Sequence, residues 1–499
     1  MKKSLTQAIA LATAIVAGAS AHAANVNQDG HGEILLYPVY TAENGNVTAV
    51  SVTNTTAAYK AVKVRFVEGM NSKEVLDFNL YLSPYDVWSG AVTLNAAGNP
   101  VLVTQDNSCT VGDIPTAGQP FVNFEYGAGT KVDTVDTIKG NQAKFSSIDR
   151  ARVGHLEIIE MGEVPAAMIL VGAGATAVTA QKAIEHVNGK PGNCAAVANA
   201  FKTGGVWATA ATAADVNGLR VLQPKGGLYG TAAVVNVAEG WQSSYDAIAV
   251  DNTVDPLVPG GRHFKPGSVS PDFNDVDPVV SFKDGSSASV ANGVDAVSAI
   301  LMKESIQNDY IVGAALNAQT DFVVTFPSKR YYVNGLLNPV TNVHAFAAPF
   351  TAGWDKKTAQ ACEKIQVVYT DNEERRLQLE EGQFSPLPET DNTISLCHET
   401  NVFSISGSDV LGGKFVKHNL ALDTAFTQGW VNVDFTAVAN GLAPTARDLG
   451  LIGHSAGLPA MKGLPVIGHS VIVTQNGDVG GLLSNYGATF DHKAKTTLD

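Results

Sequence analysis

The sharpest chemical motif in the chain is Gly453-His454-Ser455-Ala456-Gly457, a match to G-x-S-x-G. In α/β-hydrolases that spacing makes a strained turn that lifts a nucleophilic serine between a strand and a helix. The serine needs a carboxylate and then a histidine downstream, so Ser455 would work with Asp478 or Asp491 and with His492. The surroundings argue against it. Arg447-Asp448-Leu449-Gly450 is no buried strand, Gly457 and Pro459 are poor for the following helix, and too few residues remain for the rest of such a sheet. An echo at Val466-Ile467-Gly468-His469-Ser470 lacks the final glycine. The expected structure is a glycine-rich loop leading into a strand, with a secreted serine hydrolase as a second alternative.

Asp272, Asn274, Asp275 and Asp277 gather hard oxygen ligands, the kind that weak extracellular calcium sites use. Their order is not that of an EF-hand, and a solvated acidic loop is the plainer expectation. Calcium is thus the one metal the sequence hints at, and no cofactor is called for. Glu373-Glu374-Arg375-Arg376 reads as a solvated charged turn. Arg330 beside Tyr331-Tyr332 is placed to stack on an aromatic ring in a structural role. Five tryptophans, Trp88, Trp207, Trp241, Trp354 and Trp430, share no spacing, and Trp430 is expected in the core or at a sheet edge. No Walker A or dinucleotide glycine pattern stands in a usable context.

Four cysteines, Cys109, Cys194, Cys362 and Cys397, are too few for a disulfide-dense scaffold. Three pairings are open; nearest neighbours, Cys109 with Cys194 and Cys362 with Cys397, keep each bridge local. Their spacings fit no zinc pattern.

The elements that would carry these residues alternate with a period of two. Val62, Val64 and Phe66 interleave with Lys63 and Arg65, and Leu76, Phe78, Leu80 and Leu82 with Asp77, Asn79 and Tyr81. Val431, Val433 and Phe435 interleave with Asn432 and Asp434. Such strands belong to antiparallel sheets with one face packed and one wet. Asn44-Gly45 between 34–40 and 47–53 predicts a hairpin, and Asn476-Gly477 a turn after 471–473. Residues 32–94 read as five short strands at sandwich spacing. Further strands are expected at 156–159, 231–237, 321–326, 331–333, 365–370 and 465–474. Two apolar stripes predict capping helices: Ala177, Ala180, Ile184 and Val187, stopped by Asn188-Gly189, and Val294, Val297 and Leu301. The expected class is mainly β: antiparallel, immunoglobulin-like β-sandwich domains with a few short capping helices.

Residues 1–23 read as a secretory signal peptide. Lys2-Lys3 precede an apolar stretch at 8–17, and Ala21-His22-Ala23 offers the small residues a signal peptidase reads. The stretch is too short to span a bilayer. The chain of 499 residues suits two or three domains. They are expected as a β-rich region at 24–250, a Pro/Gly-rich linker or surface excursion at 251–292, and a second β-rich region at 293–499. The net charge of −14 argues against a nucleic-acid partner, and 45% hydrophobic residues argue against wholesale disorder.

Three stretches carry a resemblance: Gly32-Glu33-Ile34-Leu35-Leu36-Tyr37-Pro38-Val39-Tyr40 with 77–88; Val324-Thr325-Phe326-Pro327-Ser328-Lys329-Arg330-Tyr331-Tyr332; and Gly463-Leu464-Pro465-Val466-Ile467-Gly468 running on to 493. Together they resemble an uncharacterised family of exported, strand-rich bacterial proteins, which implies no activity and no site residues. The expectation is an exported, non-enzymatic structural or surface-interaction protein in the periplasm, at the cell surface or outside the cell. It would be a subunit of a layer, matrix or filament, binding itself or other cell-surface components. The first alternative is a carbohydrate- or calcium-binding module.

Overall fold

A computed structural model describes residues 22–127, 145–170, 177–208, 221–255, 262–313, 317–375, 393–437, 442–454 and 458–498. The protein is mainly β, 46% strand against 9% helix, so sheets and not helices set its frame. Five strands occupy the expected stretch: Ile34–Thr41, Asn46–Asn54, Lys60–Glu68, Glu74–Leu82 and Val87–Leu94. They are dealt between two antiparallel sheets. The first has seven strands, in the order Asn25–Val26, Ile248–Asp251, Ile34–Thr41, Val153–Glu163, Lys60–Glu68, Glu74–Leu82 and Cys109–Val111. The second has six, in the order Trp241–Asp246, Leu228–Asn236, Asn46–Asn54, Val87–Leu94, Pro100–Val103 and Gln119–Pro120.

The Asn44-Gly45 turn is therefore not a hairpin. Asn44 and Gly45 do take positive φ, 56° and 79°, as the dipeptide favours. The strands they join lie in different sheets. Thr48 stands in for the missing ladder, its Oγ1 accepting from the Thr41 amide and donating to the Thr41 carbonyl at 2.8 Å each. The difference is in burial: Ile34–Thr41 is buried at all eight positions and needs cover on both faces, whereas Asn46–Asn54 is buried at every second position and keeps one face open. Contacts between the sheets run through their apolar faces. The Phe78 and Trp88 rings sit 5.6 Å apart, and Tyr37 donates to the Ser51 carbonyl at 2.6 Å.

Two five-stranded sheets follow. One runs Thr393–Leu396, Glu363–Asp371, Gln428–Asp434, Ser305–Ile311 and Lys493–Lys495. The other runs Lys417–Leu420, Thr400–Ile405, Ala318–Thr325, His469–Val479 and Leu482–Asp491. Asn476-Gly477 is a bulge inside the strand His469–Val479, and the turn falls at Gly480 and Gly481, with φ of 66° and 88°. Two adjacent glycines take the left-handed region at lower cost than asparagine and glycine do.

Residues 331–333 are helical, not extended: Lys329–Val333 is a short helix after Pro327. Tertiary contacts override the β-propensity of the two tyrosines. Tyr332 reaches Asp295 and Ser298, and Arg330 donates to the Ser72 carbonyl at 3.1 Å. The helix Gly293–Leu301 forms as expected, with Asn292 capping the Asp295 amide. The stripe at 177–187 shortens to Ala180–Ile184, and Val187 leaves it for an exposed two-residue pairing.

One connected hydrophobic cluster reaches from Ala24 to Val473 and includes strands of all four large sheets. A smaller one surrounds Tyr81, Cys109 and Trp207. Within 251–292, Phe273, Val276, Val280 and Val290 point into the large cluster, and Ala24 pairs with Val280. Among the described residues no helix is long and apolar enough to cross a membrane.

Candidate functional site

The second face of the seven-stranded sheet was expected to be wet, and it is closed. Lys60–Glu68 is buried at all nine positions, Lys63 and Arg65 included. Residues 263–271 lie across that face. Lys63 donates to the Ser270 carbonyl at 3.4 Å, Arg65 to Val269, Asn79 to Phe264 at 2.7 Å, and Asp77 accepts from the Gly267 amide at 2.9 Å. Charges beneath this roof are paired, as buried charges must be. Lys63 meets Asp77 at 3.1 Å, and Arg65 meets Glu74 at 2.9 Å and Glu157 at 3.2 Å. Burial raises the Glu157 carboxyl, but His155, 3.6 Å away, and the Arg330 and Arg65 guanidiniums outweigh it and hold the group at about 2. At the sheet end, Lys60 meets Glu160 at 2.7 Å with both side chains fully buried, and burial still pushes Glu160 up to about 7.

A second buried polar group joins the first sheet to the later ones. Arg150 grips Glu68 with two bonds, 2.6 and 2.7 Å, while the Met70, Asn71 and Lys73 amides complete that carboxylate. Next to it Lys329 donates to the Ala361 carbonyl at 2.6 Å, and burial lowers it to about 8. Ser72 donates to Glu399, whose Oε1 has no hydrogen-bond partner among the described residues. Burial pushes Glu399 up to about 8 despite Arg330 and Lys329. These groups are ionisable and buried, and they tie the first sheet to the later elements.

The residues singled out by sequence fall as follows. Ser455 lies outside the described residues, as do Ala456 and Gly457. Gly453–His454 just before it is a two-residue strand paired with Ser287–Ser289. His492 is already engaged at both nitrogens: Nε2 donates to the Val323 carbonyl at 3.0 Å and Nδ1 accepts from Asn308 at 3.1 Å. Burial lowers it to about 4. Asp272 and Asp275 form a capping box around the turn Phe273–Asp275, Asn274 donates to Asp272, and Asp277 accepts from the Asp255 amide. Among the described residues no group of three or more His, Cys, Asp or Glu is arranged to hold a metal. The cysteines pair as nearest neighbours, Cys109 with Cys194 and Cys362 with Cys397. Trp88, Trp207, Trp241 and Trp354 are buried, which leaves Trp430 as the tryptophan open to solvent.

What remains open is the outer face of the six-stranded sheet. Cross-strand register lines up Val103, Ala91, Ala49, Ala233 and Ser244 in one row, and Ser89, Ser51, Thr231 and Asp246 in the next. The rows floor a shallow groove of about 790 Å³. Asp246 is the one charged side chain on that face of the sheet's strands. Beyond the Trp241 end, Val237, Leu482, Leu483 and Tyr486 are exposed at 52–79%. Sequence reading missed this surface because small, uncharged residues at every second position carry no motif; the run Val47, Ala49, Ser51 and Thr53 was its only trace. Comparison with protein-family models, curated proteins and solved structures finds no match for the chain.

Proposed function

We propose that the protein is an exported structural or surface-interaction protein, a subunit of a cell-surface layer, matrix or filament. The observation that carries this reading is the broad, almost uncharged outer face of the six-stranded sheet on a chain of net charge −14. Two such faces meet without like-charge repulsion, and Ala and Ser rows let sheets approach closely. The exposed Val237, Leu482, Leu483 and Tyr486 extend the contact with apolar area, the usual mark of an association surface. The leader-like 1–23 segment and the two disulfides support an address outside the cytoplasm. The Phe78–Trp88 contact supports reading the seven- and six-stranded sheets as an immunoglobulin-like sandwich.

Light scattering of the processed chain, with micrographs of cells and purified material, tests the reading. Dimers or larger arrays are expected, and Ala49→Lys with Ala233→Lys should dissolve them while the fold persists. A strictly monomeric chain absent from the cell surface would contradict it.

A further inference from the structure

The outer face of one five-stranded sheet is polar around a single aromatic ring. Gln428–Asp434 is its middle strand, between Glu363–Asp371 and Ser305–Ile311. The period of two sends Val431 and Val433 into the core and Trp430 and Asn432 outward. Trp430 is 37% exposed, in the middle of a sheet where packing gives no reason for an indole. Its ladder partners are Asp309 and Thr370. Gln307 faces Asn432 and donates to it at 3.0 Å. On the edge strand, Lys493 faces Gln307. The neighbouring sheet contributes Phe490, 49% exposed, and Asn308 anchors that approach by donating to the Phe490 carbonyl at 2.9 Å. Between them lies a groove of about 380 Å³, a size that small ligands fill.

We propose that this groove binds a neutral carbohydrate chain, with one pyranose ring stacked on Trp430. A pyranose presents a face of C–H groups and a rim of hydroxyls that both donate and accept. The negative face of an indole or phenyl ring attracts the C–H face. Carboxylates accept from paired hydroxyls, an ammonium donates, and a side-chain amide does both. Asp309, Asp491 and Lys493 make no side-chain hydrogen bond or ion pair among the described residues, so their polar atoms face solvent ready for a ligand. A phosphate-bearing ligand is disfavoured by the two carboxylates and the acidic chain. The groove shares no lining residue with the groove on the six-stranded sheet, so the two readings are tested separately.

Calorimetry on the full processed chain tests the proposal, with cellohexaose, chitohexaose, mannohexaose and maltohexaose as probes. At least one is expected to bind with a Kd of about 10 μM to 1 mM and to shift tryptophan emission. Trp430→Ala should weaken that binding at least about tenfold, and Phe490→Ala several-fold. Should Trp430→Ala not fold, Gln307→Ala is read the same way. Failure of all four probes to bind would overturn the proposal, as would an affinity unchanged in these variants. Loss of self-association would leave the predicted binding intact.

Discussion

The polar face of Lys60–Glu68 and the polar face of Gln428–Asp434 rest on the same alternation and end in opposite environments. On the first, Lys63 and Arg65 are 1% exposed under residues 263–271. On the second, Trp430, Asn432 and Asp434 keep contact with solvent. Both strands are central in their sheets, so position within the ladder does not separate them. The difference comes from a distant segment that covers one face and leaves the other bare. Each side chain's chemistry then matches its setting: buried charges come with partners, while the open face keeps Asp309 and Lys493 free of partners among the described residues.

Removing one polar side chain from each face separates the two environments. Arg65→Met removes the ion-pair partner shared by Glu74 and Glu157 beneath the roof and should cost about 3–5 kcal/mol in urea unfolding. An effect as small as that of a surface change would mean that the face is wet. The disulfides rank next, since each holds an edge of one of the two sheets. Cys109 lies on the last strand of the seven-stranded sheet, and Cys397 directly follows the edge strand Thr393–Leu396. Replacing either pair by alanine should cost roughly 2–4 kcal/mol. The bridge spanning 85 residues should exceed the one spanning 35 by about 0.8 kcal/mol on loop entropy, a difference differential calorimetry would read.

Glu399→Gln should go the other way. Burial holds this carboxyl near 8 in the fold, above its ordinary 4.5. The folded state therefore retains a proton that the unfolded chain gives up, and stability is lost as pH rises from about 4.5 through 8. Glutamine does not titrate. The variant should match the parent near pH 4 and exceed it by roughly 1–3 kcal/mol at pH 8. A gain that shrinks toward high pH would refute the assignment. The smallest effect belongs to the open face: Asn432→Ala should change stability by less than about 0.5 kcal/mol.

The strands themselves were legible. Five strands between 34 and 94, and the pattern around Val431 and Val433, follow directly from apolar residues at every second position. Which strands pair was less so. Asn44-Gly45 has the backbone of a hairpin turn, yet its flanking strands part into two sheets because Ile34–Thr41 needs cover on both faces. Least legible was the fate of the polar faces. Lys63 and Arg65 look like Asn432 and Asp434 in a local window, and the atoms that distinguish them are carbonyls of Val269 and Ser270, some two hundred residues away. A proline-rich stretch reads as a linker because its prolines interrupt regular elements, but the Val269 and Ser270 carbonyls are good acceptors for buried cations. The sign that was available is opposite charge on partnered strands: Arg65 stands in register with both Asp77 and Glu157.

The covering of that face is tested most directly by acylating lysines on the native protein and reading each site by mass spectrometry. Lys60 and Lys63 should stay unmodified while Lys364 and Lys493, both exposed, react readily, and denaturant should erase the contrast. Modification of Lys63 in the native chain at the rate of Lys493 would contradict the account.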